Sequence, residues 1–400
     1  MSAINQTNIQ FEPGTPATEG NFIPLCVPEI RGNEWQYVKE CLDTNWVSSV
    51  GSYVDRFQEM VAEYLGVKYA VAVVNGTSAL HIALLVAGVE ANDEVIVPTL
   101  TFISPVNAIR YVGAWPVFMD SEPNYWQIDC NKLTDFLEKE CRWHQGKLYN
   151  KASDRQIKAI LPVNILGHPV DMDAILEVAR KYNLVVIEDA AEGLGAKYKE
   201  RMVGNLGDIG CLSFNGNKII TTGGGGMIVT DNEAWAKKAK YLTTQAKDDP
   251  LEFIHNEIGY NYRLTNIQGA IGCAQMEQLN NYVATKRRIA SVYDEALRDN
   301  PGINTMVEAS WAFSTFWMYT ILVDDKEYGK DSRTLLKDLS KTQIQTRPLW
   351  QPIHLSKPHV ASQAYHVEVA PRLYQTSISL PCYVGLTQTH HNRVIKAILS

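Results

Sequence analysis

Lys218 stands in CLSFNGNKIITTGGGGMIVT, residues 211–230, between two apolar runs, and four glycines at 223–226 follow it. Glycines let backbone come close to another group. A lysine held between two strands loses hydration, which favours the neutral, nucleophilic amine. Such an amine is the usual partner of a carbonyl in a Schiff base, above all that of pyridoxal phosphate (PLP). A surface lysine in a flexible loop has the same local sequence, so the rest of the chain must decide.

Other residues are of the types such a cofactor needs. Gly76, Thr77 and Ser78 lie between the apolar run YAVAVV and an apolar helix over 79–87. Free N–H groups and the positive end of the helix dipole make that turn an anion site. A plain strand-to-helix connection capped by serine or threonine reads the same way. Asp189 follows the apolar strand LVVIE. A buried carboxylate there needs a cation, and a protonated pyridine nitrogen is one; a helix cap or a structural ion pair is the alternative. Phe102, in PTLTF, can stack on a flat ring or belong to the core. Ser213, five residues before Lys218, offers a hydroxyl to a phosphate.

The elements that must position these residues alternate. Short apolar strands are expected at 69–74, 94–97, 115–119, 157–163 and 184–187, and helices at 33–43, 79–87, 171–182 and 232–242. This pattern predicts an α/β fold with a largely parallel sheet covered on both faces. Ligands of such sheets bind beyond the carboxyl ends of the strands. The turns NGTS, PTLTF and EDAAE all fall at strand ends, which predicts one shared site. After GYNYRLTNIQGAIG the pattern changes to one long helix from Ile267 to about Asp299, then separated strands at 317–323, 344–347 and 377–380. The expected division is an N-terminal arm over 1–32, a large α/β domain over 33–265 and a smaller α+β domain over 266–400.

Composition narrows the class. A 400-residue chain exceeds the size of a single core, so two domains are expected. The net charge of −7 argues against a nucleic-acid surface. No apolar run reaches membrane-span length, and the first twenty residues lack the pattern of a signal peptide. The seven cysteines form no CxxC pair, so no metal site is expected and a reducing cytoplasm is.

Five blocks, NGTSALHIAL, VPTLTFISPVNAI, IEDAAEGLGAKY, SFNGNKIITTGGGGMIVT and GYNYRLTNIQGAIG, resemble the successive motifs of the DegT-type nucleotide-sugar aminotransferases. The resemblance runs from about Ile23 to the C-terminus. It implies the PLP-dependent transferase fold of type I, the fold of aspartate aminotransferase. Under it, Lys218 forms the Schiff base with PLP and Asp189 pairs with the pyridine nitrogen. Phe102 covers the ring, while Gly76, Thr77, Ser78 and Ser213 hold the phosphate. Asn261 serves the phosphate of a neighbouring subunit, which implies a homodimer with shared sites. After EDAA the family usually has Gln or His facing the cofactor's 3-oxygen; this chain has Glu192. An ionised carboxylate beside a phenolate is unfavourable, so Glu192 is either protonated there or turned to another group.

The opening FIPLCVPEIRGNEWQYVKECLDTNWVSSVGSYVDRFQ is similar to the branch acting in legionaminic-acid and related bacterial surface-sugar pathways. That branch moves an amino group from an amino acid, expected to be glutamate, to C4 of a nucleotide-linked 4-keto-6-deoxy-2-acetamido sugar. Arg263, Arg347 and His354 are candidate donors to such a substrate. Three other readings compete. A dehydratase or deoxygenase of the same fold is one, but some such relatives have histidine in place of the lysine, and the lysine here counts against it. A regulatory protein on this fold would not need the lysine, aspartate and phosphate set. A nucleotide-triphosphate loop would need GK[ST] after the glycines, and TTGGGGMIV lacks it.

Overall fold

The computed structural model describes residues 21–400, so most of the expected N-terminal arm lies outside the described residues. Seven neighbouring strands of a ten-stranded sheet position the site: β1 Tyr69–Val73, β2 Glu94–Pro98, β3 Trp115–Met119, β4 Gln156–Ile160, β5 Val185–Asp189, β6 Ile209–Ser213 and β7 Gly226–Thr230. Their order is β1-β7-β6-β5-β4-β2-β3. Neighbours from β6 through β3 are parallel, and β7 runs antiparallel to both β1 and β6. β2 and β7 are buried along their whole length, as expected of strands covered on both faces.

Helices cover the sheet through stripes readable in the sequence. α1 is Glu34–Asp43, and α2, Ser52–Leu65, buries Val54, Phe57, Val61 and Leu65. α3 is Gly76–Val86, α4 Ser104–Tyr111, α5 Cys130–Lys139, α6 Met172–Lys181 and α7 Glu233–Thr243. The long helix expected from Ile267 is two helices, α8 Asn266–Met276 and α9 Leu279–Leu297. α8 begins with a capping box between Thr265 and Gln268 and packs against α1 and α2. Apolar spacing continues across the break at Glu277–Gln278, so the period alone did not reveal it.

Towards the C-terminus, β8 Ile303–Asn304, β9 Tyr319–Val323 and β10 Ser377–Leu380 form a small antiparallel sheet. The strand expected at 344–347 is only a pair of isolated bridges, Ile23 to Ile344 and Arg347 to Ser379. Ile23 is fully buried there, so the chain joins the core before the arm expected over 1–32 has ended. Asp120, just after β3, accepts the N–H groups of Glu368, Val369 and Ala370 at 2.8–2.9 Å, and Lys132 Nζ at 2.7 Å. This buried carboxylate fastens the helix Val369–Thr376 to the edge of the large sheet.

Candidate active site

The three strand-end turns and Lys218 converge on one cavity of about 370 Å³. β1 leads into Asn75, whose extended backbone and side chain cap α3: Oδ1 accepts the Ser78 N–H at 2.8 Å. The N–H groups of Gly76 and Thr77, in the first turn, have no partner within the helix, and both residues line the cavity. Gly76 is required by the approach of β6, since a Cβ there would lie 2.9 Å from Ser213 Cβ. Gly226 opens β7 directly against this turn; its Cβ would lie 2.6 Å from the Asn75 carbonyl. That close approach is the role the structure gives to the end of the glycine run.

Asp189 ends β5 and is buried. Among the described residues its carboxylate accepts one hydrogen bond, from the Ala191 N–H at 3.1 Å. Burial with so little compensation pushes its carboxyl up to about 7, although Lys218 nearby works against the shift. Glu192 is also buried, and burial raises its carboxyl as well. Its Oε1 lies 3.3 Å from Lys218 Nζ, and its Oε2 accepts the Leu166 N–H at 2.8 Å. Lys218 sits in the turn between β6 and β7, where its backbone N–H donates to Asn215 O at 3.0 Å. Phe102 is 55% exposed at the cavity wall, so it is not a core residue.

Not every residue singled out in the sequence reaches the cavity. Ser78 is buried outside the lining. Asn261 is exposed, and its backbone bridges to Thr244. Arg263 is drawn to α2, where it donates to Gln58 at 2.9 Å and pairs with Asp55 at 3.4 Å. The His354 ring is taken by Thr99 Oγ1 at 2.7 Å. Arg347 is exposed and donates to the Thr346 carbonyl. Conversely, Ser104, Trp317 and Trp350 line the cavity and carried no sequence signal. Ser104 accepts the Thr77 hydroxyl at 3.1 Å, and Trp317 places its ring 4.2 Å from Lys218 Nζ. A larger groove of about 660 Å³, flanked by Arg298 and Arg372, contains none of these residues.

Residues 28–399 match the DegT/DnrJ/EryC1/StrS aminotransferase family. The chain belongs to that family. It is 40% identical over 378 residues to GDP-perosamine synthase of Caulobacter vibrioides, covering 94% of this chain and 97% of that one. It is 41% identical over 366 residues to GDP-perosamine synthase of Escherichia coli O157:H7, with 92% and 94% covered. Among solved structures, Helicobacter pylori PseC, an aminotransferase involved in the biosynthesis of pseudoaminic acid, superposes with a TM-score of 0.85 at 25% identity, covering 94% of this chain and 98% of that one. The α/β architecture expected from the resemblance, that of the PLP-dependent transferases of fold type I, is therefore the fold of this DegT-family aminotransferase. Among the described residues no cluster of His, Cys, Asp and Glu could hold a metal ion, and no helix is long and apolar enough to cross a membrane.

Proposed function

We propose that this DegT-family chain uses PLP to move an amino group from an amino acid, glutamate, to C4 of a nucleotide-linked 4-keto-6-deoxy sugar in bacterial surface-polysaccharide biosynthesis. The observation that carries the reading is the convergence of Lys218, Asp189 and the start of α3 on one cavity. The residues present fit the cofactor. Among the described residues the Asp189 carboxylate has no ion-pair partner in contact, with only Lys218 acting on it from further off, and a protonated ring nitrogen supplies one. The space beside Gly76, with the Thr77 and Ser213 hydroxyls and the helix start, suits a phosphate.

In this reading Lys218 holds the cofactor covalently, Asp189 keeps its ring nitrogen protonated, and Phe102 covers the ring. When bound, PLP supplies an electron sink for the developing carbanion. The Lys218 amine would take the proton from the donor's α-carbon. It later returns a proton to C4 of the sugar. The walls formed by Phe102, Trp317 and Trp350 exclude water around that amine.

The similarity of the N-terminal stretch to the legionaminic-acid branch favours a 2-acetamido sugar. The two relatives named GDP-perosamine synthases favour a GDP-linked one. A product assay with glutamate and a panel of UDP-, GDP- and dTDP-linked 4-keto sugars, with and without a 2-acetamido group, tests both. Amination of no member of the panel would refute the proposal.

Asn261 lies exposed outside its own chain's cavity, which supports its serving a neighbouring subunit in a homodimer. Trp35, Leu251 and Ile258, each more than 80% exposed, offer apolar surface for such a contact. Sedimentation at working concentration should give a dimer or larger, and a fully active monomer contradicts the shared site. Seven free cysteines support a reducing, cytoplasmic setting.

A further inference from the structure

Lys286 is a buried lysine that the proposed chemistry leaves unused. It lies on α9, is 2% exposed, and donates through Nζ to the carbonyls of Trp317, at 2.6 Å, and Cys382. Binding two carbonyls from separate parts of the chain fixes the backbone of Trp317 just before β9. Trp317 is itself only 5% exposed. Its indole N–H donates to the Asn217 carbonyl at 2.7 Å, and its ring face lies 4.2 Å from Lys218 Nζ. The Cys26 thiol donates to the same Asn217 carbonyl at 3.3 Å.

We propose that Trp317 is a positioning residue for Lys218, anchored from outside the cavity by Lys286. The indole N–H grips the backbone immediately before the lysine, and the indole face holds the far end of its side chain. A lysine has four side-chain torsions to order, and reaction needs its nitrogen within a narrow range of positions. A tryptophan serving the core alone needs neither the carbonyl next to Lys218 nor a ring contact with its amine. The inference rests on Lys218 being the reactive amine.

The test is the capture of PLP by the full-length apo chain. The growth of visible absorbance is followed over a range of PLP concentrations, and the adduct is trapped with borohydride and located by mass spectrometry. The Phe of Trp317→Phe keeps a ring and loses the N–H donor. Lys286→Met removes the anchor without touching the cavity, and Lys218→Ala is the control.

Trp317→Phe is expected to lower the limiting capture rate about fivefold, the scale of one hydrogen bond, and to leave the half-saturating PLP concentration unchanged. Lys286→Met should lower the limiting rate similarly, and the double variant should be no slower than the slower single one, because both act on one clamp. An adduct that persists in Lys218→Ala refutes the assignment of the lysine. An adduct lost there while Trp317→Phe captures at the parental limiting rate overturns the positioning role. So does a double variant in which the two losses multiply. If Lys286→Met does not fold, Trp317→Phe alone decides.

Discussion

The Glu192 carboxylate spans from the Lys218 amine, 3.3 Å from Oε1, to the Leu166 N–H, 2.8 Å from Oε2. Leu166 has φ 61°, a left-handed backbone that a leucine adopts only under strain of about 1–2 kcal/mol. That strain aims its N–H at Glu192. Within this chain the carboxylate is turned to the lysine itself, the group that the proposed function joins to the cofactor.

Glu192→Gln should therefore alter the pH dependence of turnover. Burial raises the Glu192 carboxyl, and Lys218 and the Leu166 N–H only partly offset it. As pH falls through that raised value, the carboxylate protonates and its pairing with Lys218 is lost. A glutamine does not titrate, so the acid limb of kcat/KM that Glu192 sets should flatten. Steady-state kinetics across pH 5–9 measures this, and superimposable profiles would sink the idea.

Asp189→Asn should separate activity from stability. Loss of the ring-nitrogen counter-charge should cost a factor of about 10² or more in kcat. The stability of the cofactor-free chain should change the other way. The folded carboxyl, raised to about 7, holds its proton where the unfolded one does not, so ionisation destabilises the fold as pH rises through that window. The asparagine has no such penalty. The apo variant should melt above the parent at pH 8, with the gap closing below about pH 4. A lower melting temperature for the variant at pH 8 would show that Asp189 is paired in the apo chain.

Gly76→Ala tests the approach of α3 to β6. Alanine by itself suits a helix. Its Cβ must displace Ser213, however, since the two Cβ atoms would stand 2.9 Å apart. PLP affinity should fall about tenfold or more, the effect of losing one or two charge-assisted hydrogen bonds to phosphate. Fluorescence titration reads the affinity, and a parental value would mean that the phosphate sits elsewhere.

Asp120→Asn tests the fastening of the helix Val369–Thr376. Burial raises the Asp120 carboxyl, but Lys132 and three backbone N–H groups outweigh it and hold it below the ordinary range. A depressed folded value means stability fully present above the unfolded pKa and lost as pH falls through the folded one. Replacing the charge should cost about 3 kcal/mol at pH 7, and less under strongly acid conditions. Urea unfolding at pH 7 and pH 3 measures both, and equal losses at the two values would refute the electrostatic account.

The sequence by itself determined the alternation of strand and helix, the strand-end turns around Gly76, Phe102 and Asp189, and the place of Lys218 between two strands. These are local properties. Side-chain period and turn composition act over a few residues, and the ends of parallel strands gather at one edge of the sheet whatever the loops contain. Only the tertiary structure decided what meets there. Trp317 is 99 residues from Lys218, and Glu192 reaches the lysine through a sheet register and a strained Leu166 that no short pattern encodes. Arg263 and His354 are of the right type for substrate, yet within this chain they bind nearer partners, Gln58 with Asp55 and Thr99, outside its own cavity. A donor's type is written in the sequence; the partner that takes it is set by packing between distant segments, where each polar group binds the nearest group that satisfies it.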